Sequence, residues 1–304
     1  MIRLLKHWFA KKNPSAPVRP SRLGATGEFP AVSPHGERFL AAIACLTDPG
    51  CVRELNEDSV LCETPDDPAL LDSRGSLIAV ADGMGGAQAG EVASSQAVQT
   101  LLREYYRSAN ADTALALKEA LAEANRAIYA AAAASDHMRG MGTTCAALAL
   151  TPGLAYAAYV GDSRIYLVRG GEIYQLTEDH SMVGDLVRRG LLSRDEARNH
   201  EERNVILQAL GTRAEIEPAI WPRPMKLREG DRFVISSDGL HDMVSDLEIR
   251  DIVLAQEPRQ ACAALVEIAR SRGGSDNITL AVAGIRGASE SSRPSPTRVA
   301  EVAS

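Results

Sequence analysis

Several features that mark large classes of protein are missing from this sequence. Aromatic residues make up only 4% of its 304 residues. No run of about 18 apolar residues occurs, so no membrane-spanning helix is predicted. The N-terminus also lacks the long apolar region and the small-residue cleavage site of a secretory signal. We therefore expect a globular protein of the cytoplasm.

Motifs for several common kinds of site are also missing. The cysteines are odd in number and contain no Cys-x-x-Cys spacing, so they fit neither a disulfide framework nor a zinc site; they are Cys45, Cys51, Cys62, Cys145 and Cys262. Most of them stand in apolar stretches, where a buried free thiol is expected. The six histidines form no cluster. No Gly-x-x-x-x-Gly-Lys-Ser/Thr phosphate-binding loop occurs.

Charge is distributed unevenly along the chain. The net charge is −7, yet residues 1–27 hold six basic residues and no acidic one, and residues 287–304 are neutral. Residues 28–286 therefore carry −13. So acidic a segment argues against nucleic-acid binding, which needs positive charge against phosphate. Its carboxylates are either a solvated surface or, in part, ligands of a metal.

The composition divides the chain into three segments. Residues 1–35 are a basic, proline-containing tail and linker, residues 36–286 a globular domain, and residues 287–304 a disordered tail rich in serine and proline. Within the first segment, residues 1–12 mix apolar and basic side chains at loosely helical spacing. They predict either a disordered tail or a helix that lies on a membrane surface or a partner.

The globular segment alternates between strand and helix patterns. Eight short apolar runs predict strands at 39–47, 58–63, 76–81, 144–151, 154–160, 164–169, 232–237 and 277–284. Helices are predicted at 90–107, from Asp112-Thr113 onward, and at 258–271. The turn dipeptides Pro152-Gly153 and Gly170-Gly171 suit hairpins. Grouped strands with two consecutive helices predict an α+β fold with mostly antiparallel sheets.

Acidic residues recur where predicted strands begin or end. Asp82 and Asp238 are each followed by glycine after an apolar strand, and Asp162 stands at the break between two strands. Glu57-Asp58 and Asp276 each lead into a strand. Carboxylates in such positions can converge at one end of a sheet, where Mg²⁺ or Mn²⁺ prefers oxygen ligands. Asp-Gly at a strand end is also a common plain turn.

Six of these segments, taken in order, resemble the motif series of one family. They are Arg53–Ser59, Ala81–Gly86, Gly140–Thr144, Gly161–Arg164, Ser237–Asp242 and Ser275–Asn277. The series is similar to that of the bacterial metal-dependent protein serine/threonine phosphatases, the PPM or type 2C family, and covers about residues 36–286. The resemblance implies a central sandwich of two mostly antiparallel β-sheets flanked by pairs of α-helices.

The resemblance also implies a catalytic site with two Mn²⁺ or Mg²⁺ ions and a third, weaker one. The implied ligands are the carboxylates of Asp58, Asp82, Asp238 and Asp276, the backbone carbonyl of Gly83, and, for the third ion, Asp162 and Asp242. Glu57 would hold a metal-bound water, and Arg53 would bind the substrate phosphate. A metal-bridged hydroxide would then attack phosphorus in line on phosphoserine or phosphothreonine.

Met84 departs from the animal-type pattern, in which a histidine at this position is often assigned as the general acid. Bacterial relatives commonly have methionine there, so activity is expected, with the proton coming from a metal-bound water near Asp162 and Asp242. The neighbouring His241 is a further candidate, although a surface residue beside the turn is an equal expectation.

The partners implied by the resemblance are phosphorylated proteins and, by analogy, a Ser/Thr kinase and its substrates. The protein itself is expected to be a monomer. Two alternatives stay open: a catalytically inactive phosphatase fold that binds phosphoproteins as a regulator, and a hydrolase of small phosphate compounds.

Overall fold

A computed structural model describes residues 39–85 and 89–287. Two predicted segments lie outside the described residues: the tail of residues 1–35, including the helix predicted to lie on a membrane surface or a partner, and residues 288–304. The division of the chain into three segments therefore stays a prediction. Within the part of the chain that is described, no helix is long and apolar enough to cross a membrane.

The first sheet has five strands in the order β1-β12-β11-β7-β8, and every neighbouring pair is antiparallel. Its longest pairing runs from Phe39, opposite Gly287, to Asp48, opposite Ile278. The turn at Gly170-Gly171 joins β7 to β8, as predicted. The strands are β1 (Phe39–Asp48), β7 (Arg164–Arg169), β8 (Glu172–Gln175), β11 (Arg232–Ser236) and β12 (Ile278–Gly287).

The second sheet is built on the path β10-β6-β5-β3-β2, with β4 paired to β3 and β9 to β6, again antiparallel throughout. The turn at Pro152-Gly153 joins β5 to β6, as predicted. The strands are β2 (Asp58–Glu63), β3 (Ser76–Met84), β4 (Gly142–Thr143), β5 (Cys145–Thr151), β6 (Leu154–Val160), β9 (Ala219–Ile220) and β10 (Met225–Lys226).

Helices cover the outer face of each sheet. The helices α2 and α3 pack on the second sheet, and α8 packs on the first with α7 beside it. The described helices are α1 (Pro68–Arg74), α2 (Ala89–Arg107), α3 (Thr113–Ala134), α4 (Met182–Arg188), α5 (Arg194–Arg198), α6 (Asp238–His241), α7 (Asp246–Ala255) and α8 (Pro258–Ser271). Of Asp112 and Thr113, either of which the sequence offers as the cap of α3, the structure has Asp112, whose carboxylate accepts from Ala114 N at 2.8 Å.

Three apolar layers hold these elements together. One lies between the second sheet and α2 and α3, one between the two sheets, and one between the first sheet and α7 and α8. Because β3 is covered on both faces, its residues from Ser76 to Ala81 are all buried, and the strand is a continuous apolar run. The α+β sandwich of two antiparallel sheets between helices is therefore confirmed.

The sequence-based prediction missed the short elements. The strands β4, β8, β9 and β10 have two to four residues, which is too short for a periodic pattern to emerge. The start of helix α7 could have been predicted from the sequence, because Ser245 and Glu248 form a capping box there.

A buried ion pair fixes the first sheet at the start of β11. Asp231 is 1% exposed, and its carboxylate accepts from Arg169 Nε at 2.8 Å, Arg169 Nη2 at 2.7 Å and Arg228 N at 2.8 Å. The pair joins the end of β7 to the turn before β11.

Replacing Asp231 with alanine should lower the free energy of unfolding by about 3 kcal/mol, because Arg169 loses its charge partner in a mostly buried setting. Urea unfolding followed by circular dichroism measures this. Asp136→Ala is the control: its ion pair with Arg139 is exposed and should be worth less than about 1 kcal/mol. Equal losses in the two variants would contradict the prediction.

Candidate metal centre

Two of the predicted carboxylates face each other across a strand pair. In the antiparallel pairing of β2 with β3, Asp58 lies directly opposite Asp82. Directly opposed residues have Cβ atoms about 5 Å apart and share one face of the sheet. The second sheet therefore presents two carboxylates side by side at one end.

The first sheet brings two more carboxylates to the same end of the sandwich. The strand β11 stops at Ser236, after which Asp238 begins the short helix α6, and Asp276 precedes β12. Since β11 and β12 are antiparallel neighbours, the end of one lies beside the start of the other. Ser237 joins the two sheets here, because its hydroxyl donates to Asp58 Oδ2 at 2.8 Å.

Burial and mutual repulsion perturb these carboxyl groups strongly. Burial, and then the charges of Asp238 and Asp276, raise the pKa of Asp58 to about 8. The pKa of Asp82 is raised well above its ordinary value by burial and by the charges around it, beginning with Asp58. For Asp238, burial and then the charges of Asp242 and Asp276 raise the pKa to about 6. Shifts of this kind show that the ionised carboxylates are unfavourable together unless protons or cations neutralise them.

The donor set suits a hard cation. Asp238 Oδ1 is buried and has no hydrogen-bond partner among the described residues, so this carboxylate oxygen remains available to a ligand. All the side-chain donors are oxygens, as Mg²⁺ and Mn²⁺ prefer. In the described segments, however, no three His, Cys, Asp or Glu side chains are arranged as a ready-made metal site. Asp276 is instead paired with Arg53, and Asp58 with Ser237.

The backbone around Gly83 is tightly packed. A Cβ atom at Gly83 would lie 2.1 Å from Gly90 O and 2.4 Å from Glu57 O, so no larger residue fits. Gly83 N donates to Glu57 O at 3.1 Å. Gly90 in turn lies against the Glu57 side chain, whose pKa is raised mainly by burial. The Glu57 carboxylate is thus held beside the strand that carries Asp82 and Gly83.

Arg53 lies on the loop between β1 and β2, where its side chain is 48% exposed and its Nη2 lies 2.7 Å from Asp276 Oδ2. Asn277 holds this loop. Its Nδ2 donates to Pro49 O at 3.0 Å and to Leu55 O at 2.9 Å, and its Oδ1 accepts from Glu57 N at 2.8 Å. Asn277 ends the last of the six sequence motifs, Ser275–Asn277, but no role was predicted for it. A buried amide at a strand start is the signal that could have identified it.

The two residues implied for a third ion have different surroundings. Asp162 is 7% exposed, and burial, followed by the charge of Asp238, raises its pKa to about 8. Asp242 is partly exposed and pairs with Arg203 Nε at 3.3 Å, and its N–H donates to Asp238 O. The structure therefore brings both residues to the neighbourhood of Asp238.

The expectation that His241 could be a surface residue is wrong. The side chain is 3% exposed, and its Nδ1 lies 3.4 Å from Ser236 Oγ. Burial lowers its pKa well below the usual value, so the ring is neutral. Met84, at the end of β3, pairs with Gly142 and supplies no proton.

Comparison with known proteins agrees with the fold and the motif series. Residues 55–277 match the family model of protein phosphatase 2C. Protein phosphatase PhpP of Streptococcus pneumoniae is 39% identical over 245 residues, which cover 79% of this chain and 96% of PhpP.

Two solved structures are similar to this one. The Mycobacterium tuberculosis serine/threonine phosphatase PstP/Ppp has a TM-score of 0.72 at 36% identity, over 81% of this chain and 99% of that one. The catalytic domain of PstP in complex with two manganese ions has a TM-score of 0.71 at 35% identity, over 82% and 99% of the two chains. This chain therefore belongs to the protein phosphatase 2C family, the bacterial metal-dependent (PPM) protein serine/threonine phosphatases.

Proposed function

We propose that this chain hydrolyses phosphoserine and phosphothreonine residues of proteins with the help of two bound Mn²⁺ or Mg²⁺ ions. The observation that carries the proposal is the cluster of buried carboxylates with raised pKa values, in which Asp238 Oδ1 has no hydrogen-bond partner among the described residues. The two manganese ions of the PstP catalytic domain, a relative of the same fold, support the choice of metal.

In this proposal the ligands of the two ions are the carboxylates of Asp58, Asp82, Asp238 and Asp276, with the Gly83 carbonyl. Asp162 and Asp242 would take a third ion, and Glu57 would accept a hydrogen bond from water at the centre. When bound, the ions supply a nucleophile at neutral pH and neutralise charge on the phosphoryl group. The chain's own part is to hold these oxygens rigidly at strand ends.

Arg53 is the residue proposed to bind the substrate phosphate. Its guanidinium offers a planar pair of donors that matches phosphate, and it is exposed enough to meet a protein substrate. Asn277 is proposed as a positioning residue, because its three hydrogen bonds fix the loop on which Arg53 stands.

The leaving alkoxide needs a proton that neither nearby candidate side chain supplies. Met84 has none to give, and the neutral His241 is buried against β11. We therefore assign this proton to water beside Asp162 and Asp242.

The cellular setting follows by analogy with the bacterial relatives. We propose a cytoplasmic monomer that dephosphorylates the substrates of a Ser/Thr kinase, and the kinase itself. Contact of residues 1–12 with a membrane stays a prediction of the sequence.

Replacing Asp238 with asparagine should reduce phosphatase activity by about a thousandfold or more, since the cations provide several kcal/mol of transition-state stabilisation. Manganese-dependent phosphate release from a phosphothreonine peptide is the measurement. Asp136→Asn, an exposed carboxylate in the turn after α3, is the control and should keep full activity.

A thermal unfolding scan in EDTA shows whether a loss of activity comes from a loss of folding. Asp238→Asn should be at least as stable as the unchanged protein there, because it removes one of several repelling charges. Added Mn²⁺ should raise the Tm of the unchanged protein more than the Tm of the Asp238→Asn variant. A well-folded, metal-loaded protein that binds the phosphopeptide without turnover would support the inactive-regulator alternative instead. Faster turnover of nucleotides than of phosphopeptides would favour a small-phosphate hydrolase.

Replacing Arg53 with alanine should raise the KM for the phosphopeptide by about 10- to 100-fold, and Arg53→Lys should recover only part of the loss, because lysine lacks the planar fork. Steady-state kinetics measures both values. The manganese concentration for half-maximal activity should not rise, because the loss of Arg53 removes a positive charge that pairs with Asp276. Arg103→Ala, from an exposed ion pair on α2, is the control. An unchanged KM would remove Arg53 from the phosphate site.

Replacing Asn277 with alanine should lower the free energy of unfolding by about 1–3 kcal/mol, because two backbone carbonyls and one N–H lose their partner in a partly buried setting. Urea unfolding measures this loss. The KM should rise together with it, in the manner of the Arg53 variants. Asn199→Ala is the control, since that exposed side chain makes one long hydrogen bond, of 3.3 Å. A stability equal to that of the control would contradict the clamping role.

A further inference from the structure

Two cysteines face the layer between the sheets at one side of the sandwich. The strand β1 is the edge of the first sheet, and β2 is the edge of the second. Cys45 on β1 and Cys62 on β2 both pack into the apolar layer that separates the sheets. The two strands lie close to each other, with Cα atoms of one within 8 Å of Cα atoms of the other. A pair of thiols therefore spans the gap between the sheets.

The two thiols interact with each other. Hydrogen bonding from Cys62 lowers the pKa of Cys45 despite burial, and the same contact, together with burial, raises the pKa of Cys62 well above its usual value. The pair is therefore asymmetric, with Cys45 the readier to become a thiolate. The thiolate is the form of cysteine that reacts with oxidants.

The remaining cysteines lack this arrangement. Cys145 and Cys262 are buried, and burial raises the pKa of each to about 12. Cys262 Sγ contacts Ala44 O at 3.5 Å, and α8, its helix, packs on the outer face of the first sheet. Cys51 is exposed, with its Sγ 3.8 Å from Arg270 O. Cys45 and Cys62 are both half-buried, so a small oxidant can reach them.

We propose that Cys45 and Cys62 form a redox modification site, at which hydrogen peroxide or another small hydroperoxide joins the two sheets through a disulfide. The Cys45 thiolate attacks one peroxide oxygen, the O–O bond breaks, and hydroxide leaves. The sulfur of Cys62 then attacks the sulfur of the Cys45 sulfenic acid. A second hydroxide leaves and takes up the Cys62 proton as water. Two thiols are oxidised, and one peroxide is reduced to two waters.

The disulfide would enclose the loop that carries part of the proposed metal centre. The 16 residues between Cys45 and Cys62 include the whole loop from β1 to β2. Arg53, Glu57 and Asp58 therefore lie inside the ring that the disulfide closes. Closing a loop restricts the unfolded chain, so the oxidised protein should unfold at a higher temperature.

The test is peptide mapping of the full chain after treatment with hydrogen peroxide and alkylation of the remaining thiols. We expect a cross-linked peptide pair containing Cys45 and Cys62, about 2 Da lighter than the two reduced peptides together and separated by dithiothreitol. The Tm of the oxidised protein should rise, and dithiothreitol should reverse the rise. Cys51→Ser should leave both results unchanged.

The variant Cys62→Ala distinguishes the pair from two independent thiols. Without its partner, Cys45 should proceed to sulfinic and sulfonic acid at the same peroxide concentration, because no second thiol traps the sulfenic acid. Two outcomes would overturn the proposal. One is full alkylation of Cys45 and Cys62 in peroxide that oxidises Cys51, and the other is a cross-link from Cys45 to Cys262. Peptide mapping of the unchanged protein shows whether the Cys45–Cys62 cross-link forms, even if the Cys62→Ala variant does not fold.

Discussion

Repulsion among buried carboxylates is the constraint on which the rest of this structure depends. Asp58, Asp82 and Asp238 are brought together at one end of the sandwich, where little water screens their charges. Such a cluster opposes folding unless protons or cations neutralise it. The three apolar layers supply the stabilisation that holds the cluster in place. The protein thus keeps an unfavourable site within a favourable core, as functional sites often require.

The way the two sheets meet explains how that cluster stays in register. Asp58 and Asp82 stand on strands of one sheet, Asp238 follows and Asp276 precedes a strand of the other, and the hydroxyl of Ser237 bridges the two sheets through Asp58. Asn277 then ties the strand start next to Asp276 to the loop before Asp58. Both bridging residues are short, polar and buried, so small side-chain movements suffice to disturb the geometry of several carboxylates at once.

The parts of the fold that could be predicted from sequence are those that repeat. The run at 76–81 and the helix starting at Thr113 show a period or a cap, and both were confirmed. The order of short motifs was enough to indicate the family, and it also predicts Asp58, Asp82, Asp238 and Asp276 as metal ligands. Contacts between distant residues could not be predicted. Arg53 pairs with Asp276 across 223 positions of sequence, and the burial of His241 depends on strands and helices that pack around it.

The pairing of Phe39 with Gly287 places the first and last described strand residues side by side. The same strand pair runs to Asp48 and Ile278, next to the loop that carries Arg53 and to Asp276, so the two chain ends of the domain are at the opposite end of the sheet from the carboxylates. A fusion protein, an affinity tag or a surface linkage attached beyond either strand would thus leave the acidic end unobstructed. Joining the two positions with a short linker would give a circular permutant whose new termini could be opened in a distant turn, such as Gly170-Gly171.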